Sequence, residues 1–76
     1  MELIKNYNLY QLNELLINKN VTFYSDCNLF DNFKVSGKVI SISVASNGEY
    51  LFKVKIKNGK AYDIGSNMHN LSFEIN

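Results

Sequence analysis

The side chains best placed to do chemistry are lysines. Lys53, Lys55 and Lys57 alternate with Val54 and Ile56, so at the two-residue period of a strand all three leave the same side of it. From Lys34 to Lys60 six lysines (Lys34, Lys38, Lys53, Lys55, Lys57 and Lys60) stand against Glu49 alone, a net of five positive charges. The rest of the chain sets Lys5 and Lys19 against six acids, so a formal net charge of +1 hides a strong asymmetry. A basic sheet face holds phosphates through charge and counterion release, which makes RNA or a small nucleotide the expected ligand. Lysine along an exposed strand also confers solubility and blocks edge pairing. All eight basic residues are lysines. Without the planar fork of arginine, bidentate phosphate and guanine contacts are lost, so binding should be weak in sequence preference and sensitive to salt.

Other chemistry is sparse. Tyr24, Phe30, Tyr50 and Tyr62 are candidates for stacking on bases, whereas Phe23, Phe33, Phe52 and Phe73 sit where core residues belong. Asn47, Asn67 and His69 fall in turns and add polar contacts to the expected ligand set. One histidine and one cysteine, Cys27, give neither a catalytic triad nor a metal set nor an intrachain disulfide, so no cofactor is expected. The seven acids are scattered, and the four glycines are dispersed as turn residues rather than grouped in a phosphate loop. These features argue against an enzyme. The loop of residues 25–32 is polar but carries Leu29 and Phe30, an apolar pair suited to anchoring a protein partner.

Several elements must position these residues. Residues 33–64 read as three strands joined by two Asn-Gly turns, Asn47-Gly48 and Asn58-Gly59, an antiparallel meander of strands 33–44, 50–57 and 61–64. Asn-Gly between alternating apolar runs predicts type I′ turns. Within the first strand the apolar phase changes from odd (Phe33, Val35) to even (Ile40, Ile42, Val44), and Gly37 near the switch predicts a bulge or sharp bend. Ahead of the meander, Asn8 to Asn18 predicts a helix. Asn8 is its cap, Gln11 completes a capping box, Leu9, Leu12, Leu15 and Leu16 form its apolar stripe, and Asn20 takes the left-handed conformation after it. Strands at 21–24 and 71–75 complete the set, with a helical or 3₁₀ turn over 65–70. Residues 1–7 show no periodicity and read as a fraying start.

This order resembles the Sm-like family, a variant of the five-stranded SH3-like small barrel with a leading helix. Gly37, Val39, Ile42 and Asn47 match the spacing of the family's first motif, with Ser43 in place of its Asp. Gly65, Ser66, Asn67, Met68 and Leu71 match the second, with Ile64 in place of its Arg. The resemblance implies a mainly β fold: an N-terminal helix followed by a strongly bent, five-stranded antiparallel barrel. It further implies a homo-oligomer closed by edge-strand pairing, in which the turn bearing His69 lines a pore.

Seventy-six residues make one domain, 1–76. A domain of this size buries only about 60–65% of its unfolded surface and gains from assembly or a partner. No apolar run approaches the ~20 residues that span a bilayer, and the single cysteine suits a reducing compartment, so a soluble, cytoplasmic protein is expected. Lys, Asn and Ile are abundant and use AT-rich codons, which points to an AT-rich bacterium, its phages or mobile elements. Two functions follow. One is a non-catalytic barrel binding RNA or a nucleotide through Lys34, Lys38, Lys53, Lys55 and Lys57 with Asn47, Asn67 and His69. The other is a phage or mobile-element inhibitor that docks on a host protein through Leu29 and Phe30.

Overall fold

The computed structural model describes residues 1–26 and 33–76. Leu29, Phe30 and Cys27 therefore lie outside the described residues. The chain runs β1 (Glu2–Leu3), a 3₁₀ turn (Ile4–Asn6), α1 (Leu9–Leu16), β2 (Asn20–Ser25), β3 (Phe33–Val44), β4 (Tyr50–Lys55), β5 (Ala61–Gly65) and β6 (Ser72–Ile75). All six strands belong to one antiparallel sheet in the order β1-β6-β2-β3-β4-β5. The architecture is mainly β with one short helix. The described residues form six strands where five were expected, and β1 and β5 are the two edges of a sheet that does not close on itself.

The start of the chain does not fray. Glu2 and Leu3 pair with Phe73 and Ser72, the Ile4 N–H donates to the Leu71 carbonyl at 2.9 Å, and Ile4 is buried in the core. Tyr7 lies edge-on to Phe73 with ring centroids 5.6 Å apart, and its hydroxyl meets the Glu2 carboxylate. Apart from the Tyr7–Glu2 contact, these join the two ends of the described chain, so no local periodicity announces them.

The helix begins as its sequence dictates. Asn8 Oδ1 accepts from the Gln11 N–H and Gln11 Oε1 accepts from the Asn8 N–H, both at 2.9 Å, which satisfies two amides that the first turn leaves free. Leu12 and Leu16 are fully buried. The helix stops at Leu16, two residues short of the expected end, and Asn18 rather than Asn20 takes the left-handed conformation (φ 67°). The cause is tertiary. Ile17 bridges to Val39, the Asn18 N–H donates to the Val39 carbonyl (2.8 Å), the Val39 N–H donates to the Lys19 carbonyl (3.0 Å), and Asn20 is already in β2.

Both Asn-Gly turns form, but neither is type I′, because only the glycine of each pair has positive φ (Gly48 +87°, Gly59 +90°). Each is a three-residue loop. Gly48 N–H donates to the Ala45 carbonyl and Gly59 N–H to the Ile56 carbonyl, while Ala45 N–H and Ile56 N–H close on the carbonyls of Glu49 and Lys60. Asparagine side chains complete the loops, Asn47 Oδ1 accepting from Glu49 N–H (3.0 Å) and Asn58 Oδ1 from Lys60 N–H (2.9 Å). Ile56 and Lys57 thus belong to the second turn, and β4 ends at Lys55. The segment 65–70 forms two successive turns closed by 3₁₀-type bonds, Met68 N–H on Gly65 and Leu71 N–H on Met68, both at 3.2 Å, without a continuous helix.

The bend in β3 is a bulge. Val39 pairs with Val54 and Ser41 with Lys53, so Ile40 is the extra residue. The inward phase accordingly passes from Phe33, Val35 and Val39 to Ile42, while Ile40 and Val44, expected inward, are exposed. Gly37 serves a different purpose from the bulge. A Cβ there would lie 2.6 Å from the Lys55 carbonyl oxygen and 2.7 Å from Val54 Cγ1, so only glycine lets β4 pass this close. The concave side of the bent sheet and α1 enclose one core, eleven buried residues among those described, with Phe23 and Phe52 packed together at ring centroids 5.3 Å apart.

Candidate functional site

Cross-strand register places the lysines together. Lys34, Ser36 and Lys38 share the convex face of β3, and Lys38 lies directly opposite Lys55 on β4. Lys53, two residues back on β4, has the same orientation and faces Ser41 on one side and Asp63 on the other. All four lysines are exposed. Directly opposed residues of an antiparallel pair have Cβ atoms about 4.5–5.5 Å apart, and like charges at that spacing oppose folding. The Lys38–Lys55 pair is therefore an arrangement that an anion would relieve. Lys34 lies opposite Tyr24 on β2, with its ammonium 5.8 Å from the ring centroid, a cation–π contact that steadies both side chains.

Beyond this pair the strands part. β3 stays with β2 all the way from Lys38 to Phe33, but β4 leaves β3 at Lys55, so Ile56, Lys57 and Asn58 diverge from residues 33–37. The wedge between them is a groove of about 690 Å³ floored by Phe33, Val35, Ile56 and Tyr62, with Lys34 and Lys57 at its rim. A second depression of about 290 Å³ adjoins it, sharing Ser36, Ile56 and Lys57, and brings in Lys38 and Lys55. Tyr62 is paired with Val54 and so faces inward, yet it is 48% exposed because it lies on the edge strand over the open wedge.

Not every candidate joins this region. Asn47 is held within its turn, and the Asn67 N–H donates to Glu49 Oε2 at 3.1 Å. Ser66 Oγ accepts from the Tyr50 N–H (2.9 Å) and the Ser66 N–H donates to the Tyr50 carbonyl (2.8 Å). These residues gather at the Tyr50 end of β4, five residue steps or about 17 Å from Lys55. His69 is exposed at the end of β2, where its carbonyl accepts from Ser25 Oγ and the Asp26 N–H, while Asn70 Nδ2 donates to Asp26 Oδ2. The structure thus places Lys34 and Lys57 on the groove and Lys38, Lys55 and Lys57 on the depression that adjoins it, leaves Lys53 outside both, and sets Asn47, Asn67 and His69 apart.

Tyr62 is one of the four stacking candidates named from the sequence, whereas Ile56, which reads as a strand residue, lines the groove without any local signal for it. Glu49 reads as the lone acid of a basic stretch, whereas its carboxylate links two turns and fills the space beside Gly65 where a Cβ would fall. Among the described residues, no group of three His, Cys, Asp or Glu side chains is disposed to hold a metal ion, and no helix is long and apolar enough to cross a membrane. No protein-family model matches the chain, and comparison with curated proteins and with solved structures gives no match either.

Proposed function

We propose that the protein is a non-catalytic small β-barrel module, of SH3-like or Sm-like arrangement, that binds RNA or a small nucleotide ligand through its lysine face. The strand order β6-β2-β3-β4-β5 behind a leading helix, with a bulge bending β3, supports the arrangement. The observation that carries the function is the direct opposition of Lys38 and Lys55, with Lys34 and Lys53 on the same face. Lys38 and Lys55 held opposite one another at the cost of repulsion, with Lys34 and Lys53 on the same face, suit a polyanion better than a purely solvating surface. Assembly into a homo-oligomer belongs to the same reading. The outer edge of β5 is the surface available to it, since β1 occupies that of β6 at Ser72 and Phe73.

Anisotropy of a labelled single-stranded RNA tests this reading. With four lysine contacts, affinity should fall about 50-fold between about 50 and about 200 mM salt, and Lys53→Glu with Lys55→Glu should abolish binding. Salt-independent binding, or full affinity in the double variant, would refute it. The edge of β5 also favours a second reading, a phage or mobile-element inhibitor that adds a strand to a host protein. Such a protein would keep its partner in the double lysine variant.

A further inference from the structure

We infer that the wedge between β3 and the β4–β5 turn is a base-stacking groove for single-stranded nucleic acid, with Tyr62 as its platform and Lys34, Lys38, Lys55 and Lys57 along its phosphate path. The inference rests on the lysine-face reading and adds to it a place, an orientation and a requirement for bases. Three features converge on it. First, the floor is apolar, and Tyr62 presents a ring that faces the concave side without being covered by the core. Second, Lys34 and Lys57 line the groove itself, and Lys38 and Lys55, on the convex face, line the depression that adjoins it. Third, the vertex is fixed, because the backbones of Gly37 and Lys55 approach too closely to admit even a methyl group.

The chemistry selects the occupant. A polyphosphate without bases would use the lysines and leave the apolar floor in water, and an uncharged peptide would use the floor and leave the lysines unrelieved. A single strand uses both, since every base offers a π-face to an aromatic ring while the backbone follows the positive groove. Asn20 and Asn76 beside Lys38 in the second depression, and Asn58 beside Lys57 in the first, add neutral donors and acceptors along the same path. Recognition of this kind is tolerant of sequence, in keeping with a surface that lacks arginine.

The test compares two labelled strands of equal charge, an oligothymidylate of about twelve nucleotides, inside the roughly 4–16-nucleotide range of small binding barrels, and an abasic strand of the same length. The full-length protein should bind the oligothymidylate more tightly than the abasic strand. Tyr62→Ala should weaken the oligothymidylate about 5- to 150-fold and leave the abasic strand unchanged, while Tyr62→Phe keeps the wild-type preference. Lys57→Glu should cost more affinity than Lys53→Glu, which lies outside the groove. Equal affinity for the two strands, or a Tyr62→Ala loss shared by both, would overturn the groove. In that case a surviving effect of Lys53→Glu with Lys55→Glu would keep the lysine-face reading intact. If neither strand binds in a salt-dependent way, the lysine-face reading fails first and the groove with it. If Tyr62→Ala changes only the solution mass, the groove is an interface between copies of the chain and the inference is wrong.

Discussion

The two ends of β4 carry the same turn and are put to opposite uses. At the Tyr50 end, the loop closed by Ala45 and Glu49 is tied to the next turn by the Glu49 carboxylate on Asn67 and by paired bonds between Tyr50 and Ser66. At the Lys55 end, the loop closed by Ile56 and Lys60 has the same backbone bonds and the same Asn-Gly chemistry, but its hydrogen bonds close within the turn itself. One end uses its polar groups to hold the fold, and the other leaves Lys57 and Tyr62 available at a groove, with Lys55 at the depression that adjoins it. The shared Asn-Gly pair therefore says where a turn will be, while the residue that follows it, Glu49 at one end and Lys60 at the other, and the neighbouring segment decide whether the turn is tied into the fold.

The contrast can be broken at its base, because both ends rest on one core. Phe52→Ala removes the ring that packs on Phe23 and should cost about 3–5 kcal/mol, much of the stability of so small a domain. Urea unfolding should then show both ends lost in one transition. A variant that loses only one end would show that the two are separate units. A smaller effect sharpens the contrast. Glu49→Ala leaves the Asn67 amide without its carboxylate and should cost about 1 kcal/mol while leaving nucleic-acid affinity within twofold of wild type. Lys57→Glu should do the reverse, with an unchanged urea midpoint and lost binding. The smallest effect compares the asparagines. Asn47→Ala and Asn58→Ala each remove one side-chain acceptor and should cost about 0.5–1 kcal/mol alike. A clear inequality between them would mean that the linkage at the Tyr50 end stabilises its loop beyond the bonds named here.

What the sequence made legible was what depends on near neighbours. The capping box of Asn8 and Gln11, the position of both Asn-Gly turns and the shared face of Lys53 and Lys55 follow from residues within a few positions of one another, whereas Lys57, expected on that face, lies in the turn. The type of the two turns and the end of β4 are set by hydrogen bonds within the loops, and the other departures come from contact with a distant strand. Glu2 and Leu3 become strand only because Phe73 and Ser72 lie beside them, and Asn18 turns left-handed because Val39 receives its amide. Gly37 suggests the place of the bend, yet the bulge falls three residues later at Ile40, and the glycine instead admits the close approach of Lys55. The groove was hidden for the same reason. Its existence depends on where β4 leaves β3, and no run of residues records that point.

One feature of the sheet bears on how the molecule is made. β6, the last strand in the chain, lies between β1 and β2, the first two. Until residues 72–75 arrive, Glu2 and Leu3 have nothing to pair with, the outer edge of β2 stays bare from Val21 to Tyr24, and the Ile4 amide lacks its acceptor at Leu71. Such long-range pairing places folding in the slower range, milliseconds to seconds, that non-local β topologies occupy. The helix and the β3–β4–β5 meander assemble from local contacts, but the sheet is completed by a strand that inserts rather than appends. A nascent chain stalled before residue 72 would thus expose a sticky strand edge, and completion of the fold is tied to completion of this segment.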